Sequence, residues 1–415
     1  MSMSDERFGK YGLPLKVEYC NCCTISNQRP SSAVEFQQKS SDKKEFVSFE
    51  DGICDACKFL EFKRTIDWGS REEELVELCD RYRRDDGRHD VVVPGSGGRD
   101  SVMAAHLLKY KYGMHPILIT WPPILPTNIG RRNYDAWVKI ASCYAFQQNK
   151  ELHSTLTRLA FERLGHPFQP FILGQKNLAP KLSILLGIPL VIYGEHEAEY
   201  GNNRHEAMSP IRDRKYYSTE VAHRKLVLGG TAVDELMDEY GFTMADLQAY
   251  LPPRPDALDQ VGTTVHYLGY YVKWHPQEVY YYAVENTDFL PNDHRTEGCY
   301  GKYFSIDDKI DWLHYYTYHI KFGMGRATHT AAQEIRNGDI RRDEGVALIK
   351  RFDGEYPEQY LDDCCQYMGI TREHFDEVIE GYRTPHLWRK DGSGNWVLKH
   401  PIWESAPGKG GPANA

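Results

Sequence analysis

The stretch Val91-Val92-Val93-Pro94-Gly95-Ser96-Gly97-Gly98-Arg99-Asp100-Ser101 constrains this chain more than any other. A short β-branched run reads as a buried strand, the glycines as a tight turn, and the residues after them as the start of a helix. Glycine lets the backbone approach an anion with no Cβ in the way. The first turn of the following helix offers unpaired N–H groups and the positive end of its dipole. Ser96 and Ser101 add hydroxyl donors, and Asp100 can hold a magnesium ion that bridges phosphate oxygens. The Gly-Lys-Ser/Thr ending of a P-loop is missing, which argues against a kinase or GTPase. A ligand-free glycine turn is the plain alternative. The order of strand, Ser-Gly-Gly, acid, serine and helix favours a phosphate loop.

The surrounding pattern alternates helical and strand-like segments. Helices are expected over 72–84, 101–112, 152–164 and 177–186, and strands over 89–94, 116–120 and 189–193. Such alternation predicts an α/β fold with a parallel sheet covered on both faces. Ligands of these sheets bind beyond the carboxyl ends of the strands. The loops 94–101, 120–130 and 194–203 should therefore share one rim. Past Leu251-Pro252-Pro253-Arg254-Pro255 the chain becomes aromatic and helical, with helices expected over 309–322, 328–337 and 342–351.

Five of the ten cysteines fall within the first 57 residues. Cys20-x2-Cys23 and Cys54-x2-Cys57 have the spacing of two ligand turns in a tetrahedral four-cysteine zinc site, separated by a long polar insertion. Cys22, between the first pair, is a bystander or an alternate ligand. A structural zinc is the favoured reading, with redox or sulfur-transfer chemistry as its rival. The boundaries that follow are a zinc-knuckle region at 1–68, the nucleotide domain at 69–250, a helical C-terminal region at 251–404 and a flexible tail at 405–415.

A net charge of −9 offers phosphate backbones no general attraction, so no nucleic-acid partner is expected. The start lacks the apolar core of a secretory signal, and the best apolar run, 182–193, is broken by Ser183, Gly187 and Pro189. The expectation is a cytoplasmic protein with no membrane partner.

The phosphate loop resembles the SGGxDS signature of PP-loop ATP pyrophosphatases, which split ATP between its α and β phosphates. More of the chain, from about residue 19 to 390, resembles the N-acetyl sugar amidotransferases, nearest those of pseudaminic acid biosynthesis. The likeness lies in residues 94–101, Ile119-Thr120-Trp121-Pro122-Pro123, 166–175 and Tyr193-Gly194-Glu195-His196-Glu197-Ala198-Glu199-Tyr200-Gly201-Asn202. It continues in Ile320-Lys321-Phe322-Gly323-Met324-Gly325-Arg326 and Lys350-Arg351-Phe352-Asp353-Gly354-Glu355. His196 departs from the family, which carries Asn there.

The resemblance implies a HUP-like (adenine nucleotide α hydrolase) PP-loop domain with an N-terminal four-cysteine zinc knuckle and a helical C-terminal region. It implies conversion of an acetamido group on a sugar, such as a nonulosonic acid, to an acetamidino group, as in surface-polysaccharide or flagellin glycosylation. ATP would adenylate the amide oxygen, ammonia would displace AMP, and the cofactors would be Mg2+ and Zn2+.

Gly95, Ser96, Gly97, Gly98, Asp100 and Ser101 are assigned to the ATP phosphates and Thr120 to the nucleoside, with Asp100 also the magnesium ligand. Glu195, Glu197, Glu199 and Asn202 are candidates for substrate contacts or for solvated loop charges. Lys321 and Arg326 are candidates to reach the departing pyrophosphate, with a plain helix-surface role as the alternative for Lys321. Asp307-Asp308 reads as solvated helix-start acids or as a second magnesium pair. Arg131, Arg132, Arg204 and Arg295 are possible donors to a sugar carboxylate. No glutaminase nucleophile is evident, because Glu297-Gly298-Cys299-Tyr300-Gly301 lacks the first glycine of a Gly-x-Cys-x-Gly elbow. Ammonia should come from a separate subunit or from solution. A tRNA-thiolating PP-loop enzyme, a non-catalytic zinc-knuckle interaction protein and amidation of a carboxylate are the competing readings.

Overall fold

The computed structural model describes residues 8–39, 46–196 and 208–405. Five parallel strands form its sheet: β1 (Val91–Pro94), β2 (Pro116–Thr120), β3 (Cys143–Ala145), β4 (Leu190–Tyr193) and β5 (Thr264–Tyr267). Their spatial order is β3-β2-β1-β4-β5. The chain steps outward from β1 to β3 and then crosses back to β4 on the other side. The crevice between β1 and β4 is therefore the topological switch point, where open α/β sheets take their ligands.

Successive residues of β1 divide between two cores, as the period of a strand requires. Val92 joins Ile117, Ile119, Val191 and Val265 on one face, against α5 (Lys150–Leu164) and α6 (Gln169–Leu186). Val91 and Val93 join Leu118, Leu190 and Ile192 on the other. There they meet α2 (Trp68–Tyr82), which follows α1 (Asp55–Lys63) in the chain, and also α3 (Arg99–His106), α4 (Asn128–Trp137) and α7 (Pro276–Asn286). A third core joins α8 (Lys309–Phe322), α11 (Leu361–Met368) and α12 (Arg372–Tyr382) to Leu13 and Phe161. Between α8 and α11 run α9 (Arg326–Asn337) and α10 (Arg342–Phe352). No helix among the described residues is long and apolar enough to cross a membrane.

Several elements differ from the sequence expectation. The sheet does not end where composition changes near residue 250, since β5 lies beyond it and pairs with β4 along four residues. Helix α6 starts at Gln169, with Pro170 at its first turn, where proline's missing N–H costs nothing. Helix α3 starts at Arg99 and passes into a π-helical stretch, Leu107–Lys111. Glu35–Gln37 is a 3-10 turn docked on α6, with Gln169 donating to the Glu35 carbonyl at 2.9 Å. Gln38, in the polar insertion between the two cysteine pairs, is accordingly buried.

Candidate functional site

The glycine loop stands at the switch point. Gly95 N–H still donates to the Ile119 carbonyl at 3.0 Å, after which the chain leaves the sheet and enters α3 at Arg99. Gly97 has φ +89°, and a Cβ there would fall 2.7 Å from the Tyr134 backbone of α4. A side chain at Gly95 would meet Ser101 Cβ at 2.2 Å. From the other wall of the crevice, a Cβ on Gly194 would lie 2.2 Å from the Asp100 carbonyl oxygen. Close packing thus fixes the loop, while the space beside Gly98 stays open, its nearest neighbour being Ser96 Oγ at 3.9 Å.

The loop is held both by its own groups and by groups far away in sequence. Ser96 Oγ donates to Asp307 Oδ2 at 2.7 Å. Ser101 Oγ donates to the Gly98 carbonyl at 2.9 Å, and Trp137 Nε1 donates to the Ser101 carbonyl at 3.1 Å. Asp100 accepts from Trp274 Nε1 at 2.7 Å and from Arg99 Nε at 3.4 Å. Each of its oxygens meets one protein donor, and these contacts make Asp100 an anchor of the loop.

The segment before α8 completes the rim. Asp308 caps α8 by accepting from Ile310 N–H at 2.9 Å, and it also accepts from the N–H groups of Ile124 and Leu125 in the β2 loop. Burial pushes its pKa up to about 7 against those three donors. It is a buried structural carboxylate and not the solvated acid expected. Asp307 is raised by burial as well, with Ser96 and the Arg326 charge pulling the other way. Burial raises Asp311 to about 6, again opposed by Arg326. Arg326 donates to Tyr315 Oη and lies over the Phe304 ring. The structure therefore brings Arg326 into the electrostatic surroundings of Asp307, one contact from the phosphate loop.

Lys321 goes elsewhere. It is buried, its Nζ donates to the Leu164 carbonyl at 2.6 Å, and the Tyr11 and Tyr382 rings lie beside it. These contacts dock α8 on the end of α5, and none of them belongs to the rim. Arg295 is held by Glu355 through two hydrogen bonds of 2.6 Å. Cys299 is buried and its thiol pKa is raised by burial, the opposite of an activated nucleophile. Glu195 is half-buried at the end of β4. Glu197, Glu199, Asn202 and Arg204 lie outside the described residues.

Thr120 closes β2, and beyond it a cleft of about 750 Å3 opens. Gly130, Arg131 and Tyr134 line it from α4, and Ala145 from β3. The cleft adjoins the loop, since Gly97 packs on the backbone of the same Tyr134.

The second centre is the cysteine cluster. Cys20, Cys23, Cys54 and Cys57 are buried with their Sγ atoms all within 4.8 Å of one another. Cys20 and Cys57 are 3.8 Å apart and Cys23 and Cys54 3.7 Å. Four thiolates around zinc, each at about 2.3 Å, stand about 3.8 Å apart along the tetrahedron's edges. A disulfide needs about 2.05 Å, and all four are free. The set can bind a metal such as zinc. Asp51 and Gly52, both at positive φ, turn the short hairpin Phe49–Glu50/Ile53–Cys54 that aims the second ligand pair. Cys22 is not one of the four.

The contact between Ser96 and Asp307 is what sequence reasoning missed. The only signal available was a pair of acids at a helix start. No curated protein matches the chain. Residues 297–401, which carry Asp307, Asp308, Lys321 and Arg326 together with α8 to α12, match the family model described as LPS biosynthesis protein WbpG-like, C-terminal domain.

Proposed function

We propose that this chain is an ATP-dependent, AMP-forming amidotransferase that converts an acetamido group of a sugar to an acetamidino group during surface-polysaccharide biosynthesis. The observation that carries the proposal is the glycine loop at the β1–β4 switch point, opening α3 and facing an acid–arginine group from the C-terminal region. The likeness of 297–401 to WbpG-like proteins, described as LPS biosynthesis proteins, supports a sugar substrate.

An amide carbonyl is a poor electrophile, and ammonia alone does not displace its oxygen. Transfer of AMP to that oxygen, with release of pyrophosphate, turns it into a leaving group. Ammonia then attacks the carbon, the C–O bond breaks with its electron pair going to AMP, and the attacking nitrogen gives up a proton. The protein's part is positioning and neutralisation of phosphate charge. Gly95 to Gly98, with Ser96, Ser101 and the N-terminus of α3, would hold the triphosphate. Arg326 would balance negative charge next to Ser96. Lys321 has no role in this scheme, and the buried Cys299 supplies no ammonia, which would come from a partner glutaminase or from solution.

The test is to incubate the protein with ATP, Mg2+, ammonium and an acetamido sugar acid. Mass spectrometry should show oxygen exchanged for NH, with AMP accumulating only when sugar is present. Formation of ADP, or sugar-independent nucleotide cleavage, would reject the proposal.

A further inference from the structure

Arg29, in the segment that joins the two cysteine pairs, is 7% exposed. Its guanidinium has no hydrogen-bond or ion-pair partner among the described residues. Nε is sealed from solvent, and the two terminal nitrogens are not. A buried charge is costly unless hydrogen bonds and a counter-charge offset it. The cysteine cluster is one source of negative charge, but Arg336 of α9 already faces it, with Nη1 3.8 Å from Cys23 Sγ. Arg336 also lies near enough to Arg29 to repel it.

Helices α8 and α9 build the wall beside Arg29. Asp311, His314, Tyr315 and Tyr318 recur three and four residues apart on one face of α8 and are half-buried, while Trp312, Leu313 and Thr317 between them are buried. Arg326 and His329 of α9 are half-buried as well. Arg326 donates to Tyr315 Oη, and the His329 ring lies 5.3 Å from that of Tyr318 and 6.0 Å from that of Tyr315. Burial raises Asp311 to about 6 and lowers His314 to about 3. Side chains that feel burial this strongly and still keep accessible surface line an internal cleft. One end of it is Asp307, on Ser96. Burial raises the hydroxyls of Tyr315 and Tyr318, and the charge of Arg29 pulls both back. Tyr318 Oη, like Arg29, has no hydrogen-bond partner among the described residues, and it too is not sealed.

From Asp311 to Tyr318 α8 rises two turns, about 10 Å. Pyrophosphate leaving the glycine loop is too short to span that distance, whereas a sugar with its substituents is long enough. Aromatic rings along the way suit the C–H faces of such a ligand. Resting on the amidotransferase reading above, we infer that Arg29 and Tyr318 form an oxyanion subsite that takes an acid group of the acceptor, carboxylate or phosphate, at the end of the cleft away from the glycine loop. Arg29 is then a specificity-determining residue supplied by the knuckle region.

Calorimetric binding of N-acetylneuraminate, its uncharged methyl ester and N-acetylglucosamine 1-phosphate to the full chain tests this. Wild type should bind an anionic probe about 10- to 100-fold more tightly than the ester, the range of one hydrogen bond to a charged group. Whichever of carboxylate and phosphate binds more tightly identifies the source of the oxyanion. Arg29→Met should erase the preference and Arg29→Lys should keep part of it, with ATP binding and zinc content unchanged in both. Should Arg29→Met fail to fold, Tyr318→Phe decides, and it should weaken the anionic probe and leave the ester as it was. Anion and ester bound alike by wild type, or no binding of any probe, would overturn the subsite. So would an unchanged preference in Arg29→Met accompanied by loss of zinc, which would make Arg29 a counter-charge of the cysteine cluster. An Arg29-dependent preference in a protein that forms no AMP would keep the subsite and reject the amidotransferase.

Discussion

Ser96 and Asp307, 211 positions apart, meet at 2.7 Å, and that contact joins the C-terminal region to the phosphate loop. Asp308 beside it holds the rim together by accepting from three backbone N–H groups. Each buried donor left without a partner costs about 1–3 kcal/mol. Asp308→Ala should therefore lower stability by several kcal/mol, read as a fall in the urea midpoint, and an unchanged midpoint would show that the three groups find water. Histidine burial gives a second prediction at this scale. His266 sits between Thr264 Oγ1 at 2.9 Å and Tyr271 Oη at 2.8 Å, with its pKa pushed down to about 4. In the unfolded chain it titrates near about 6.5. Below that pH the unfolded state takes up a proton that the folded state refuses, so its contribution is complete above about 6.5 and is lost as pH falls toward 4. His266→Gln should flatten the decline of melting temperature between pH 6.5 and 4, and an identical slope would refute the assignment. Asp308 and Asp311, raised acids, work with the opposite sign, which is why the variant and not the wild-type curve is the test. The pairing of the two cysteine turns into one cluster was legible from spacing alone. The burial of Lys321 was not, because it is set by Leu164, Tyr11 and Tyr382, which no local pattern connects to it.

Among the elements, β1 with its loop and β2 were readable because a fully buried strand bounded by glycine or proline has few alternative folds. Strand β3 escaped notice since its three residues are half-buried or exposed and leave no hydrophobic run. Strand β5 was hidden because Thr264 and His266 break its apolar pattern, though His266 is buried by its two hydroxyl partners. The knuckle was readable in its ligands but not in its setting. Ala332 and Ile335 of α9 pack into its core, Thr24 donates to the Thr328 carbonyl, and Arg342 of α10 donates to the Cys20 and Cys23 carbonyls. Metal at this centre would therefore stabilise α9 and α10 as well as the knuckle. Purified protein is expected to carry one zinc per chain by elemental analysis. Its removal by a chelator should speed amide exchange across 20–57 and also across 326–352. Faster exchange in the first stretch alone would mean that the helices stand without the knuckle.

At the scale of the whole molecule, residues 297–401 match a domain model, yet their interior is shared with the rest of the chain. Phe161 of α5 stacks on Phe375 of α12 with ring centroids 5.2 Å apart, and Leu13 is fully buried in the same core. Tyr382 donates to the Glu162 carbonyl and Lys321 to that of Leu164. Each large apolar side chain uncovered forfeits about 1.5–3 kcal/mol, while a domain's whole stability is about 5–15 kcal/mol. Loss of Leu13 and Phe161, together with the cover that α5 gives to α8 and α12, removes a large part of that margin. The excised 297–401 segment should thus show helical circular dichroism without a cooperative melt. The complementary piece, ending at 296, lacks Asp307 and Asp308 and should lose nucleotide binding even though its five strands are intact. A sharp melt for 297–401 together with undiminished ATP affinity of the remainder would show that the C-terminal region is an appended module. The Ser96–Asp307 contact would then be a consequence of docking and not a part of the site.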